Sequence, residues 1–122
     1  MDLEFSAEDL AFQQEVREFL RDKLPPHIRE ATARTTTVFV DKEPALEWQR
    51  ILAEKGWAVP SWPVEWGGTG WTPTQKYLFG MECARAGAPM LIPLGLGMLA
   101  PVLLAFGTEE QKQKYLPKML SG

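Results

Sequence analysis

Four features of the sequence could take part in chemistry: a lone histidine, a lone cysteine, an acid within an apolar helical pattern, and a glycine cluster. His27 could act as a general base, but it follows a double proline on a predicted surface loop, and no serine, cysteine or carboxylate partner is identifiable. Cys83 could act as a nucleophile, but an inert buried or half-buried thiol on a helix is the favoured interpretation.

Glu82 and the glycine cluster also have structural interpretations. Arg85 lies three residues after Glu82 on a predicted helix, so the two side chains can pair. The segment Gly67-Gly68-Thr69-Gly70 could cradle a phosphate, because a glycine-rich turn before a helix exposes backbone donors. No strand precedes it and no Lys-Ser/Thr pair follows it, so a tight packed turn is favoured. The sequence contains no set of metal-ligating residues.

An apolar, glycine-containing segment is the best candidate for binding a ligand. Small residues leave room beside a helix, and methionine adapts its shape, so the segment could line a cavity for an aliphatic ligand. The residues alone favour helix-helix packing over this role. The candidate lining residues are Leu91, Leu94, Gly95, Gly97 and Met98.

Four of the five tryptophans fall in one short stretch that also holds prolines and glycines. Pro60 and Pro63 lack backbone donors, and the glycines permit positive φ, so neither a long helix nor a central strand is expected there. So much aromatic surface must be buried. The stretch therefore predicts a fixed, packed connection between helices, with the tryptophans Trp57, Trp62, Trp66 and Trp71.

Composition limits the classes of function. A chain of 122 residues forms about one domain, here residues 1–122, and 45% hydrophobic with 24% charged residues is ordinary for a globular protein. The net charge of −3 and the scattered basic residues argue against nucleic-acid binding. A single cysteine and an N-terminus without export signals predict a cytoplasmic protein.

One uncharged segment raises the question of a membrane span. Residues 86–108 carry no charge, which is long enough in principle to cross a bilayer. The segment is interrupted by Pro89, Pro93 and Pro101, so a buried core helix is the favoured interpretation and no membrane span is predicted.

Helix start and stop signals predict an all-α fold. Ser6 with Asp9, Thr72 with Gln75, and Thr108 with Gln111 form three capping boxes. Together with the proline and glycine boundaries they predict helices over residues 7–24, 44–56, 73–87, 93–106 with a kink at Pro101, and 109 onwards. Residues 28–40 are ambiguous: the run 35–40 is strand-like but has no partner strand, so an extended loop is the favoured prediction there, within a connection over residues 25–43. The expected fold is an array of five or six helices.

Helical spacing predicts which side chains face the core. Each predicted helix carries an apolar stripe at intervals of three and four residues. Trp57 is placed to touch Leu52 in a Schellman motif after Gly56. The residues expected to face inward are Leu10, Val16, Phe19 and Leu20, then Trp48, Ile51 and Leu52, then Tyr77, Leu78 and Met81, and finally Tyr115, Leu116, Met119 and Leu120.

Three segments in the same order resemble one known family. SAEDLAFQQEVREFL in the first helix, PSWPVEWGGTGWTP in the tryptophan stretch and GTEEQKQKYLPKMLSG at the end are similar to the N-terminal α-helical domain of the acyl-CoA dehydrogenases. The resemblance runs from end to end. It implies that a β-domain and a second helical bundle follow in the intact enzyme, and that these hold the FAD and the catalytic carboxylate.

The resemblance also implies a supporting role for this chain. The intact enzyme would remove hydrogens from the α and β carbons of an acyl-CoA thioester and form a homo-oligomer. This chain alone would have no catalytic, cofactor-binding or metal-binding residue, and Leu94, Gly97 and Met98 would form part of the acyl-pocket wall.

Two alternatives remain open at the level of sequence. The chain could be a separate helical module that pairs with another chain carrying the flavin domains. Relatives with the same helical domain also act as oxidases or monooxygenases, and no residue in this chain separates those reactions from dehydrogenation.

Overall fold

The computed structural model describes residues 4–122, and its regular elements are all helical in that range. This confirms the predicted all-α fold. A 3-10 turn lies at Val64–Trp66 and a π-helical segment at Leu94–Leu99. The six α-helices are α1 (Ala7–Lys23), α2 (Pro26–Arg34), α3 (Lys42–Lys55), α4 (Pro73–Ala86), α5 (Ala100–Phe106) and α6 (Glu109–Ser121).

Three of the helices begin with the capping boxes predicted from the sequence. The Ser6 hydroxyl accepts from the Asp9 amide at 3.1 Å, and the Ser6 amide donates to the Asp9 carboxylate at 3.3 Å. Reciprocal pairs of the same kind open α4 and α6, formed by Thr72 with Gln75 and by Thr108 with Gln111. Each pair satisfies an amide that the first helical turn leaves without an intrahelical partner.

Helix α2 is the main correction to the predicted elements. Residues 26–34, predicted as part of a connection between helices, are helical, whereas residues 35–40 lack regular structure as expected. Pro26 stands at the first helical position, where a missing amide proton costs nothing. The Thr32 hydroxyl bonds to the Ile28 carbonyl, and Ile28 is completely buried, so tertiary packing favours the helix.

Helix α3 begins two residues earlier than predicted and ends as predicted. Asp41 is its N-cap, so Pro44 is the third helical residue rather than the first, still within the turn that needs no amide donor. At the other end Gly56 has φ +84°, and the Trp57 amide donates to the Leu52 carbonyl at 2.8 Å. This geometry confirms the Schellman motif.

The core lies between α1 and α4 and extends to α3 and α6. Most predicted inward residues are buried or half-buried, but Leu10, Tyr77 and Tyr115 are exposed, so those three predictions are wrong. A tyrosine or leucine at the edge of an apolar stripe can stay in water at little cost, which spacing alone does not reveal. Fully buried side chains include Val16, Ile28, Trp48, Leu78 and Leu116.

The tryptophan stretch is a packed connection, as predicted. Trp57 and Trp62 are buried, and Trp66 and Trp71 are half-buried. Trp57 meets Trp71 edge-on at 5.3 Å between ring centroids, and both rings contact Phe79 of α4. Edge-to-face contacts of this kind add to the free energy gained by burying the rings.

None of the helices within residues 4–122 is long and apolar enough to cross a membrane. The uncharged segment forms the π-helical stretch and the short helix α5, and Ala100 is the one buried residue of these two elements, so the prediction of a buried core helix is wrong.

Gly68 and Gly80 provide a matched test of the packed connection. A Cβ atom at Gly68 would overlap the carbonyl oxygen of Trp62, whereas a Cβ atom at Gly80 on α4 would meet open space. We expect Gly68→Ala to destabilise the fold by more than about 2 kcal/mol, because backbone must move. Gly80→Ala is expected to stabilise it by up to about 1 kcal/mol through helix propensity.

The measurement is the free energy of unfolding in urea for the two variants and the unchanged chain. Equal unfolding midpoints for Gly68→Ala and the unchanged chain would contradict the packing described for this connection.

Candidate functional site

The helical stretch from Leu94 to Phe106 carries most of the predicted site residues. It begins as a π-helix, in which the Ala100 amide donates to the Gly95 carbonyl five residues earlier. It continues as α5 from Ala100, which is completely buried. The predicted helix over residues 93–106 is thus confirmed in extent, while the kink expected at Pro101 is replaced by this change of helical register.

Pro101 explains a tertiary hydrogen bond to this stretch. In the π register, residue 101 would donate to the carbonyl of Leu96, but proline has no amide proton. The indole Nε1 of Trp62 donates to that carbonyl at 3.0 Å. A tryptophan from the packed connection thereby supplies the donor that the helix lacks.

A groove of about 210 Å³ lies beside this hydrogen bond. Of the predicted site residues, it includes Leu91 and Gly97 but not Leu94, Gly95 or Met98. Its walls are therefore shared between the tryptophan connection and the π-helical segment. The lining residues are Ala58, Val59, Pro60, Ser61, Trp62, Leu91, Ile92, Pro93, Leu96 and Gly97.

Gly95 and Gly97 face different parts of the protein. A Cβ atom at Gly95 would lie 3.8 Å from the Met119 side chain, so this glycine faces α6. A Cβ atom at Gly97 would contact only Pro93, at 3.5 Å, so a larger side chain there would project into the groove region. The structure thus brings Gly95 to a helix contact and Gly97 to a candidate binding surface.

Leu94 and Met98 belong to an exposed surface that we call the apolar stripe, defined by Leu94, Met98, Val102 and Phe106. These residues recur every four positions and are 67%, 59%, 54% and 87% exposed. Side chains four apart lie on one face of a helix. Large apolar side chains exposed together usually mark a binding or interaction surface.

Glu82 is buried and structurally paired. Its carboxylate lies 3.1 Å from Arg17 Nε and 3.5 Å from Arg85 Nη1, and it accepts from Gln13 Nε2 at 2.8 Å. The pairing with Arg85 was predicted, whereas Arg17 and Gln13 come from α1, which local spacing does not reveal. Burial alone would raise the pKa of Glu82, but the hydrogen bonds from Arg17 and Gln13 and the charges of both arginines lower it below 4.5.

His27 and Cys83 show no catalytic arrangement within the described residues. His27 Nε2 lies 2.7 Å from Glu47 Oε2, so it has the carboxylate partner that the sequence did not identify, but both side chains are exposed. Burial and the charge of Glu82 raise the pKa of the Cys83 thiol to about 12. The reactive thiolate is therefore disfavoured at neutral pH, as predicted. Residues 4–122 contain no group of three acidic, histidine or cysteine residues placed to hold a metal ion.

The glycine cluster is a closed turn rather than a phosphate cradle. The amides of Gly67 and Gly68 donate to the carbonyls of Val64 and Pro63 at 3.1 and 3.0 Å. Donors already used inside the turn are not available to an anion.

The fold, the capped helix order and the packed connection define a class of protein. Residues 6–122 match the family model described as acyl-CoA dehydrogenase, N-terminal domain. The chain therefore belongs to the acyl-CoA dehydrogenase family, which confirms the resemblance found in the three sequence segments.

Curated relatives match over most of this chain. It is 29% identical to the acyl-CoA dehydrogenase FadE26 of Mycobacterium tuberculosis, over all of this chain and 30% of that protein. It is 34% identical to the acyl-CoA dehydrogenase IpdE1 of Mycolicibacterium smegmatis, over 89% of this chain and 29% of that protein. The chain thus spans about 30% of the length of these relatives.

Solved structures share the fold. The Tcur3481-Tcur3483 steroid ACAD superposes with a TM-score of 0.81 at 33% identity, covering 99% of this chain and 30% of that one. The ChsE4-ChsE5 complex from Mycobacterium tuberculosis gives a TM-score of 0.77 at 28% identity, covering 99% of this chain and 29% of that one.

The bond between Trp62 and Leu96 generates one prediction. Trp62→Phe keeps most of the ring but removes the donor, so we expect a loss of about 1–3 kcal/mol in the free energy of unfolding from the unpaired carbonyl. Pro101→Ala restores an amide donor in the helix, so it should offset part of that loss when the two changes are combined. Urea unfolding of both single variants and the double variant gives the coupling energy. If the effects of the two single changes simply add in the double variant, then Trp62 and residue 101 do not act on the same Leu96 carbonyl.

Glu82 generates a prediction about pH. Because the pKa of Glu82 is lowered in the folded chain, its ionised form stabilises the fold above about pH 4.5, the ordinary value. That contribution is lost as the pH falls through the lowered value. We expect Glu82→Gln to cost about 1–3 kcal/mol at neutral pH and to flatten the decline of stability in acid.

The control is Glu30→Gln, because Glu30 is an exposed acid on α2. This change should leave the free energy of unfolding at neutral pH and its decline in acid nearly unchanged. Unfolding in urea between pH 3 and 7 is the measurement. An unchanged acid slope in Glu82→Gln would show that Glu82 does not carry the pH dependence.

Proposed function

We propose that residues 1–122 form the N-terminal helical domain of a larger flavin-dependent acyl-CoA dehydrogenase. The longer protein would remove hydrogens from the α and β carbons of an acyl-CoA thioester. Membership of the family and the length of the relatives, of which this chain spans about 30%, support this proposal. We further propose that the longer protein is cytoplasmic and forms an oligomer.

The role proposed for this chain is to form one wall of the acyl pocket. The observation that carries it is the apolar stripe with the adjoining groove, because the described chain leaves both uncovered. An apolar wall would exclude water and accept the aliphatic part of a substrate. Leu91 and Gly97 would contribute from the groove, Leu94 and Met98 from the stripe, and Gly95 through the close approach of α6.

We propose that this chain does not hold the flavin by itself. The amides of Gly67 and Gly68 donate within the glycine turn, and the buried carboxylate of Glu82 is paired with two arginines. We therefore assign FAD binding and the catalytic base to other domains of the longer protein. When bound there, the flavin would supply the hydride acceptor.

A second candidate function is a helical module that pairs with a separate chain carrying the flavin domains. The observation that favours it is that each of the two solved structures reported above carries the names of two proteins, Tcur3481-Tcur3483 and ChsE4-ChsE5. In that case the apolar stripe would meet the partner chain across a subunit interface.

The test starts from the intact coding region that contains this chain. Purified protein, alone and with any neighbouring flavin-domain protein, is assayed for flavin absorbance and for acyl-CoA-dependent reduction of an artificial electron acceptor. Activity in a single continuous chain supports the first candidate, and activity only with a second chain supports the second. A flavin-loaded protein that reduces no acceptor with short, long or steroid-bearing acyl-CoA thioesters would overturn both.

Gly97 generates a prediction about substrate size. Gly97→Leu should narrow the groove and lower kcat/KM for bulky acyl-CoA thioesters by about 10- to 200-fold relative to short ones, the range expected for pocket contacts. Gly80→Leu, at an open position of α4, is the matched control and should leave the ratio unchanged. An equal loss for short and bulky substrates would place Gly97 outside the pocket wall.

A further inference from the structure

A second concave surface lies on a different part of the chain from the acyl-pocket wall. This cleft has a volume of about 440 Å³ and shares no lining residue with the groove at Trp62. We call it the arginine cleft. Its lining residues are Arg17, Leu20, Arg21, Arg29, Glu82, Arg85 and Ala86.

The arginine cleft concentrates positive charge in an acidic chain. Four of the six arginines in the sequence line it, although the net charge of the chain is −3. They come from three helices: Arg17 and Arg21 from α1, Arg29 from α2, and Arg85 from α4. Packing of α1 against α4 therefore brings together charges that are far apart in the sequence.

Neighbouring acids neutralise only part of this positive charge. Glu82 is the one acid among the lining residues, and it contacts Arg17 through Nε and Arg85 through Nη1. Arg21 meets the neighbouring Asp22 at 3.3 Å, with both side chains largely exposed. Within residues 4–122, Arg29 makes no ion pair. Four guanidinium groups thus face one buried carboxylate and one exposed one.

Two contacts hold the arginines in place. Glu82 is 4% exposed and is fixed by Gln13, so it anchors the half-exposed Arg17 side chain beside it. Gly87, with φ +79°, lies under Arg29: a Cβ atom there would come within 3.0 Å of Arg29 Cγ. The absence of a side chain at Gly87 allows the stem of Arg29 to pack closely over the end of α4.

We propose that the arginine cleft binds a phosphate group, either a phosphomonoester or a diphosphate, on a small molecule. Planar guanidinium groups match the oxygen geometry of phosphate with paired hydrogen bonds, which lysines do not. The concave shape and the volume suit a small ligand. An acidic protein segment would instead be expected on a broad, flat surface, since a stable protein interface buries about 800 Å² on each partner.

Titration calorimetry with inorganic pyrophosphate, ADP and inorganic phosphate tests the proposal. We expect saturable binding of a diphosphate that weakens at least about tenfold in the double variant Arg21→Gln and Arg29→Gln, since hydrogen bonds to charged groups are lost. Glutamine keeps part of each stem, and Arg17 and Arg85 are left intact because both pair with the buried Glu82. Similar affinity for pyrophosphate and ADP would indicate recognition of the phosphates alone, and tighter ADP binding would indicate a nucleotide-bearing ligand.

Arg34→Gln is the matched control, because Arg34 is exposed on α2 but lies outside the cleft. It should change the affinity by less than about twofold, and thermal unfolding should show the same fold in all variants. Equal weakening by Arg34→Gln would reveal non-specific attraction and overturn the proposal. Failure of pyrophosphate and ADP to bind at millimolar concentration would also overturn it, and binding of an acidic peptide alone would assign the cleft to a protein partner.

Discussion

The missing amide proton of Pro101 constrains the second half of this molecule. A proline in a helix leaves a carbonyl one turn earlier without its donor, and a buried carbonyl must find another partner. In the π register that carbonyl belongs to Leu96, and the Trp62 indole reaches it at 3.0 Å. This bond fixes the tryptophan connection against the π-helical segment and places Ala100 in the core.

The tryptophan connection also packs against helices α1 and α4. Its rings pack edge-on against one another and against Phe12 of α1 and Phe79 of α4. Gly68 lets the chain turn close to the Trp62 carbonyl, where any side chain would clash. One aromatic connection thus joins the α1–α4 pair, which bears the arginine cleft, to the stretch that bears the apolar stripe.

Features encoded by neighbouring residues were predictable from the sequence, and features that depend on distant residues were not. The three capping boxes and the Schellman motif at Gly56 rest on contacts within six residues, and all are present. Helix α2 was missed because the burial of Ile28 stabilises it. Glu82 on α4 pairs with Arg17 on α1, which spacing within one helix cannot reveal, so the sequence predicted only the pairing with Arg85. Of the predicted site residues, Leu91 and Gly97 reach the groove, because the π register and Trp62 determine which side chains line it.

The π-helical segment also gives this stretch a place where its length can change over evolution. A π turn holds about one residue more than an α turn, so deleting one residue between Leu94 and Leu99 would restore the α register with little rotation of the helix that follows. Ala100 would stay in the core, and Val102 and Phe106 would stay in solvent. Gain or loss of this residue therefore changes the side chains of the segment beside the groove and leaves the buried and the exposed face of α5 in place.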